Sequence, residues 1–114
     1  PTAIEKNSIQ APTGAGFPSM SGSQVVSDQI HDDSIKTGRT LLLINNFSIA
    51  SNGQFYRKHY QGQGWQLVAD SEGSRLKGAA MTFTKGRKLV SLTINKVDSK
   101  TSVVANIETA KIFR

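Results

Sequence analysis

Apolar and polar residues alternate along three segments in the second half of the chain, at residues 77–84, 88–96 and 101–109. A period of two is typical of β-strands that bury one face. The inward residues are predicted to be Ala79, Met81, Phe83, Val90, Leu92, Ile94, Val103, Ala105 and Ile107. Tight turns at residues 85–86 and 98–100 separate the segments. The pattern predicts an antiparallel meander, whose water-facing positions are Thr82, Ser91, Thr93, Asn95, Ser102 and Asn106.

Two further strands are predicted upstream of the meander. Residues 23–30 read as a short strand, with Val26 and Ile30 on one face and Val25 on the other. Residues 35–44 follow a turn, and their run of consecutive apolar residues at 41–44 is typical of a central strand. Because only a short turn separates the two segments, they are predicted to form a hairpin.

One segment, residues 48–62, has the periodicity of an amphipathic helix. Its apolar stripe comprises Ile49, Phe55, Tyr56 and Tyr60. Ser51 and Gln54 match a capping box, and Gly62 suits the left-handed residue that ends many helices. A strand is predicted directly afterwards, at residues 65–70.

Together these elements predict an α+β fold in two layers: a single helix packed on an antiparallel sheet, in the order β-β-α-β-β-β-β. The predicted core comprises Leu41, Leu43, Phe55, Tyr56, Trp65, Met81, Phe83, Leu92, Ile94, Val103 and Ile107. This single domain spans residues 23–114, and the Pro/Gly/Ser-rich residues 1–22 are predicted to be a flexible tether. The alternative for residues 1–22 is a segment that folds onto a partner through Ile4, Ile9, Phe17 and Met20.

Charge is distributed unevenly along the chain. The 114 residues carry a net charge of +6, to which residues 1–34 contribute −3 and residues 35–114 contribute +9. The chain has no Cys, which excludes a disulfide scaffold, a thiol enzyme and a thiolate metal site. No apolar run approaches the ~18–20 residues that a membrane-spanning helix requires.

Two places hold residue types that are used in catalysis or metal binding. His31, Asp32 and Asp33 offer an imidazole and two carboxylates, but a calcium ion takes about six to eight oxygen ligands, and the chain has no spaced acidic loop. His59 lies on the predicted helix without an acid or nucleophile at a suitable spacing. We therefore predict a solvated turn, a partly exposed helical His, and a protein without enzymatic activity, metal or cofactor.

Basic residues are the most distinctive feature of the chain and provide its candidate binding site. Lys85, Arg87 and Lys88 crowd one hairpin, and Arg57 and Lys58 lie on the helix. These charges suit an anionic partner, whether an acidic protein, a lipid headgroup or a nucleic acid. The aromatic residues occupy predicted buried positions, which argues against a platform for stacking bases. The alternative is that the charges only solubilise the domain and protect its sheet edges.

Two runs of sequence resemble small exported bacterial domains: FYRKHYQGQGW at residues 55–65 and MTFTKGRKLV at residues 81–90. The layout of residues 23–110 is also similar to the helix-grip domains of the C-subunit lipoprotein in the outer-membrane β-barrel assembly machine. This resemblance implies a non-catalytic periplasmic domain, accessory to a secretion, pilus or outer-membrane assembly machine, with a lipidated Cys upstream as its anchor. It carries over no functional residues, because such domains share a scaffold and not a site.

Two functions are consistent with the sequence. An envelope interaction domain would bind a protein partner through the basic hairpin, the tail or an exposed edge strand, for which residues 23–30 and 101–109 are the candidates. A basic nucleic-acid-binding module would be cytoplasmic, and its binding would fall steeply as the salt concentration rises.

Overall fold

One antiparallel sheet carries one helix on one of its faces. The computed structural model describes residues 8–10, 16–71 and 78–111. Its strands are β1 (Ser8–Gln10), β2 (Gln24–Asp32), β3 (Lys36–Asn45), β4 (Gln66–Asp70), β5 (Gly78–Lys85), β6 (Lys88–Val97) and β7 (Lys100–Ala110). The helix, α1 (Ile49–Gly62), lies between β3 and β4 in the chain. The predicted α+β fold, a helix packed on an antiparallel sheet, is confirmed.

The predicted element order is wrong in one detail. The described chain runs β-β-β-α-β-β-β-β, because β1 precedes the two strands of the predicted hairpin. β1 lies within residues 1–22 and pairs with β2 along residues 29–31. In the same stretch Phe17 is 8% exposed, and its ring centroid lies 5.7 Å from that of Tyr56. Ordered structure therefore begins before residue 23. The sequence did not indicate this, because a three-residue strand and one buried aromatic side chain form no recognisable pattern in a Gly- and Pro-rich segment.

The strands lie in the order β1-β2-β3-β7-β6-β5-β4, so β7 is the central strand of the sheet. The prediction that residues 101–109 form an exposed edge is therefore wrong. After β3, the chain passes through α1 to the far edge of the sheet, and the meander from β4 to β7 then returns to pair with β3. Residues 23–30 are not the outermost strand either, because β1 covers part of β2. The internal position of β3 agrees with its continuous apolar run.

A β-bulge changes which residues of β2 face the helix. The register between β2 and β3 shifts between Val25 and Ser27, which leaves Val26 in the bulge and 55% exposed. Val25 and Ile30 therefore share the helix-facing side, where strict alternation predicts opposite sides. A similar shift in β4 exposes Val68. Bulges of this kind interrupt strands near a sheet edge and hinder pairing with other chains.

The helix has the predicted extent but not the predicted caps. Ser48 is the N-cap, because its side chain accepts a hydrogen bond from the Ser51 backbone N–H at 3.0 Å. The predicted capping box at Ser51 and Gln54 is therefore wrong. The helix ends at Gly62, but the left-handed residue is Gly64, with φ of +87°. The chain reverses at Gly64 and leads directly into β4.

The core lies between α1 and the helix-facing side of the sheet. Its buried apolar members are Phe17, Leu41, Leu43, Tyr56, Tyr60, Ala79, Met81, Phe83, Val90, Leu92, Ile94, Val103 and Ala105. Of the predicted core, Phe55, Trp65 and Ile107 are only partly buried at its margin, and the others are buried. The period of two in β5, β6 and β7 thus identified the inward side of each strand correctly.

A buried network of amide side chains joins the end of β3 to the start of α1. Asn45 and Asn52 exchange two hydrogen bonds, of 2.8 and 3.0 Å, and are 3% and 0% exposed. Asn52 Nδ2 also donates to the Ser48 carbonyl at 2.9 Å. Thr101 of β7 donates its hydroxyl to the Phe47 carbonyl at 2.6 Å. These bonds fix the turn from β3 into α1 against the central strand.

Candidate functional site

The hairpin between β5 and β6 brings three cationic side chains together. Its loop turns at Gly86, which adopts a φ of +64° that suits glycine. Lys85 and Lys88 are paired directly across the end of the hairpin, and Arg87 lies in the loop between them. Like charges in directly opposite positions destabilise a strand pair. The arrangement therefore favours an anion at this end of the sheet.

The three cations line a cleft of about 570 Å³, together with Gln63, Trp65, Gly86 and Thr109. We call this the basic cleft. Lys85 Nζ donates to the Gln63 carbonyl at 2.7 Å, next to the end of α1. Arg87 Nη1 donates to the Ala110 carbonyl at 3.1 Å. These carbonyls orient the cations without neutralising them, and in the described parts of the chain no carboxylate forms an ion pair with Lys85, Arg87 or Lys88.

Trp65 gives the basic cleft a rigid aromatic wall. Its ring meets Tyr60 edge-on at 5.2 Å, and Tyr60 in turn stacks on Phe83 at 5.0 Å. The Trp65 backbone N–H also donates to the Tyr60 carbonyl at 3.0 Å. From the sequence, Trp65 is predicted only as a core residue. The pairing of Gln66 with Thr84 places Trp65 beside the basic hairpin, and local sequence patterns do not reveal this pairing.

The two helix residues of the predicted site lie outside the basic cleft. Arg57 Nε donates to Asp70 Oδ2 at 3.0 Å, so an acid of β4 compensates its charge. Lys58 is exposed and lines a separate depression of about 500 Å³ with Phe55 and Met20. The structure therefore brings together the three hairpin residues of the predicted site but not the two helix residues.

The acidic cluster at the end of β2 is held by protein partners. The Asp33 carboxylate accepts backbone N–H bonds from Ile35 and Lys36 at 2.8 and 2.9 Å, and these bonds lower the pKa of Asp33. Asp32 forms an ion pair with Lys111 at 2.9 Å. The turn falls at residues 33–35, later than predicted, because β2 extends to Asp32. Within the described ranges, no three His, Asp or Glu side chains are grouped to hold a metal ion.

His59 lies in a row of aromatic side chains on α1. Its ring stacks on Phe55, with 6.4 Å between centroids, and meets Tyr60 edge-on at 5.1 Å. The side chain is partly exposed. These contacts give His59 a role in packing the outer side of the helix.

A partly buried ion pair on the helix-facing side of the sheet was not predicted. Arg39 donates from Nε and Nη2 to the two carboxylate oxygens of Asp28, at 2.9 and 2.8 Å. Asp28 is 1% exposed, and the hydrogen bonds to it raise the pKa of Arg39. Alternation along β3 places Arg39 on the same side of the sheet as Leu41, and Leu41 is paired with Asp28. Alternation could therefore have placed Arg39 on the helix-facing side. The pair ties β2 to β3, far across the sheet from the basic cleft.

Comparisons with protein-family models, with curated proteins and with solved structures find no match to this chain. Among the described residues, the helix is too short and too polar to cross a bilayer. The chemistry of the basic cleft is therefore the observation that bears most directly on function.

Proposed function

We propose that this domain is non-catalytic and acts by binding a protein partner, with the basic cleft as the contact for an acidic segment of that partner. The observation that carries the proposal is the convergence of Lys85, Arg87 and Lys88 beside Trp65, where no carboxylate of residues 16–71 or 78–111 forms an ion pair with them. An acidic segment would relieve the repulsion between the two lysines. Its aliphatic groups would pack on the tryptophan ring.

The shape of the cleft favours a short acidic segment over a nucleic acid. A volume of about 570 Å³ accommodates a few side chains, whereas a nucleic acid would extend along a row of phosphate contacts and stacked bases. The face of the sheet opposite α1 has no aromatic residue in its described strands. Nucleic-acid binding through the same cations is therefore the second candidate.

We further propose that the domain works in the cell envelope, as an accessory of a secretion, pilus or assembly machine. The support is the resemblance of residues 55–65 and 81–90 to exported bacterial domains. Fractionation of the native protein, with an intact mass of its mature form, tests this. A lipidated N-terminal Cys in the membrane fraction is expected, and an unprocessed chain in the cytosol would contradict it.

Trp65 is the only tryptophan of the chain, so its fluorescence reports directly on the basic cleft. We expect a Glu/Asp-rich peptide to change the Trp65 emission of the full chain, and an uncharged peptide of equal length to leave it unchanged. The triple variant Lys85→Glu, Arg87→Glu and Lys88→Glu should lose at least about tenfold in affinity, equivalent to about 1.4 kcal/mol. Thermal melting would verify that it is folded.

The matched control reverses three exposed lysines away from the cleft: Lys58→Glu, Lys96→Glu and Lys100→Glu. It changes net charge by the same amount and should retain most of the affinity. Equal losses in both variants would show a general charge effect and remove the cleft as the site. Tighter binding of a single-stranded oligonucleotide than of the peptide, with a steep salt dependence, would favour the second candidate.

A further inference from the structure

Asn52 and Gly53 form the one Asn–Gly sequence in the chain. In an open chain such a pair deamidates without a catalyst or cofactor. The Gly53 backbone nitrogen attacks Asn52 Cγ, the bond from Cγ to Nδ2 breaks, and ammonia leaves with the proton of the attacking N–H. Water then opens the resulting succinimide ring and gives either aspartate or isoaspartate. Glycine favours the attack because it has no Cβ beside the nitrogen.

The helix keeps the two reacting groups apart. Asn52 and Gly53 lie near the start of α1, and both are buried. The backbone angle ψ is about −42° in an α-helix, and closing the five-membered ring requires ψ to leave this value. In a helix the Gly53 N–H also donates to the carbonyl four residues earlier, and this bond has to break before the nitrogen attacks. The helix must therefore open at Asn52 before the reaction occurs.

The buried amide network holds the group that is attacked. Asn52 Oδ1 accepts a hydrogen bond from Asn45 Nδ2 at 2.8 Å. Asn52 Nδ2 donates to Asn45 Oδ1 at 3.0 Å, and to the carbonyls of Ser48 and Phe47 at 2.9 and 3.4 Å. Because Asn52 is 0% exposed, the water that would open the ring does not reach it. Opening the junction between β3 and α1 releases the attacking nitrogen and the attacked amide together.

The deamidated side chain does not fit the same junction. Deamidation replaces Nδ2, which donates to three oxygen atoms, by a carboxylate oxygen, which only accepts hydrogen bonds. A negative charge would then lie among hydrogen-bond acceptors in a site closed to water, and a buried charge without a partner is strongly destabilising. Isoaspartate also adds a carbon atom to the backbone, which interrupts the helix at this point.

We propose that Asn52–Gly53 is a deamidation site controlled by folding: the native junction suppresses the reaction, and the modified chain no longer forms that junction. Each opening of the junction therefore carries a chance of irreversible change. Local opening costs less free energy than global unfolding, so the lifetime of the native chain depends on how rarely this junction opens. This proposal does not depend on what the basic cleft binds.

Incubation of the full chain at one mildly alkaline pH and one temperature, with and without a denaturing concentration of urea, tests the suppression. Peptide mapping by mass spectrometry follows the replacement of NH by O at Asn52. When opening and closing are fast, the rate follows the opened fraction, so we expect conversion at least about a hundredfold slower in buffer than in urea. A smaller difference would overturn the proposal.

Two controls assign the reaction to this pair of residues. Asn95 and Asn106 are followed by large side chains, so in the same urea sample they should deamidate at least about tenfold more slowly than Asn52. Gly53→Ala adds a Cβ beside the attacking nitrogen and should slow conversion of Asn52 in urea by at least about the same tenfold factor. This comparison does not require the variant to fold. A smaller effect in either comparison would overturn the assignment.

Asn52→Asp reproduces one product of the reaction and tests whether the junction tolerates it. Urea unfolding followed by circular dichroism should give a midpoint below that of Asn52→Ala, which removes the same hydrogen bonds without adding a charge. A variant without a folded signal in the absence of urea is the extreme of the same expectation. A midpoint at or above that of Asn52→Ala would show that the native fold accommodates the carboxylate, and would overturn the proposal.

Discussion

Asn52→Ala tests the amide network that joins β3 to α1. The substitution removes four hydrogen bonds: two shared with Asn45, at 2.8 and 3.0 Å, and two from Asn52 Nδ2 to the carbonyls of Ser48 and Phe47, at 2.9 and 3.4 Å. Each is worth about 1 kcal/mol net, and a buried group left unpaired adds about 1–3 kcal/mol. Asn45 keeps a 3.3 Å contact from its Nδ2 to Ser23 Oγ and its bond from the Phe47 N–H, so it largely avoids the penalty for an unpaired group. We therefore expect a loss of about 3–4 kcal/mol in the free energy of unfolding, close to the sum of the lost bonds.

Urea unfolding followed by Trp65 fluorescence and by circular dichroism measures this loss. Domains of this size have a free energy of unfolding of about 5–15 kcal/mol, so the transition midpoint should fall sharply with the slope unchanged. The matched control Gln61→Ala, at an exposed position of the same helix, should change stability by less than about 0.5 kcal/mol. A loss below about 1 kcal/mol in Asn52→Ala would refute the idea that this network holds the junction.

Two further substitutions probe the core. Phe17→Ala should cost about 2–4 kcal/mol of stability in chemical denaturation, since it removes a buried ring that contacts Tyr56. If residues 1–22 were a flexible tether, Phe17→Ala would have no more effect than the control Ser19→Ala at an exposed position. Tyr56→Phe should stabilise the domain by up to about 1 kcal/mol, because the buried hydroxyl has no hydrogen-bond partner in the described structure. Burial raises the pKa of Tyr56 and raises that of Tyr60 to about 12. Unfolding therefore releases protons above pH ~10, and the free energy of unfolding should fall as the pH rises further. The fall should be less steep in Tyr56→Phe than in the native chain. Equal pH dependence of the melting temperature in the two proteins would contradict this.

Local patterns predicted the elements of this fold well. In β5, β6 and β7, every second residue contacts the core, so alternation alone located the strands and their inward sides. The helix was equally visible, because Tyr56 and Tyr60 are buried one turn apart. These features depend on residues close together in sequence, which is why the sequence suffices for them.

The pairing of strands that are far apart in sequence could not be predicted from local patterns. Nothing in residues 101–109 indicates that β7 pairs with β3, since the segment alternates as an edge strand also would. The Asn45–Asn52 bonds have no periodic pattern, and the Asp28–Arg39 pair depends on the register between two strands. For the candidate site, the hairpin cations were visible as a cluster, whereas Trp65 joined them only through the pairing of β4 with β5.

The central position of β7 delays closure of the sheet while the chain is being synthesised. Lys36 and Glu108, which meet across β3 and β7, are 72 residues apart in sequence. As the polypeptide emerges from a ribosome or a translocation channel, β3 and β6 both lack the neighbour that joins them. Contacts at such separations slow folding, and unpaired strands invite pairing with other chains. The sheet can close only after β7 has emerged, so β3 and β6 of a chain in transit stay without their shared neighbour until Ala110 is out.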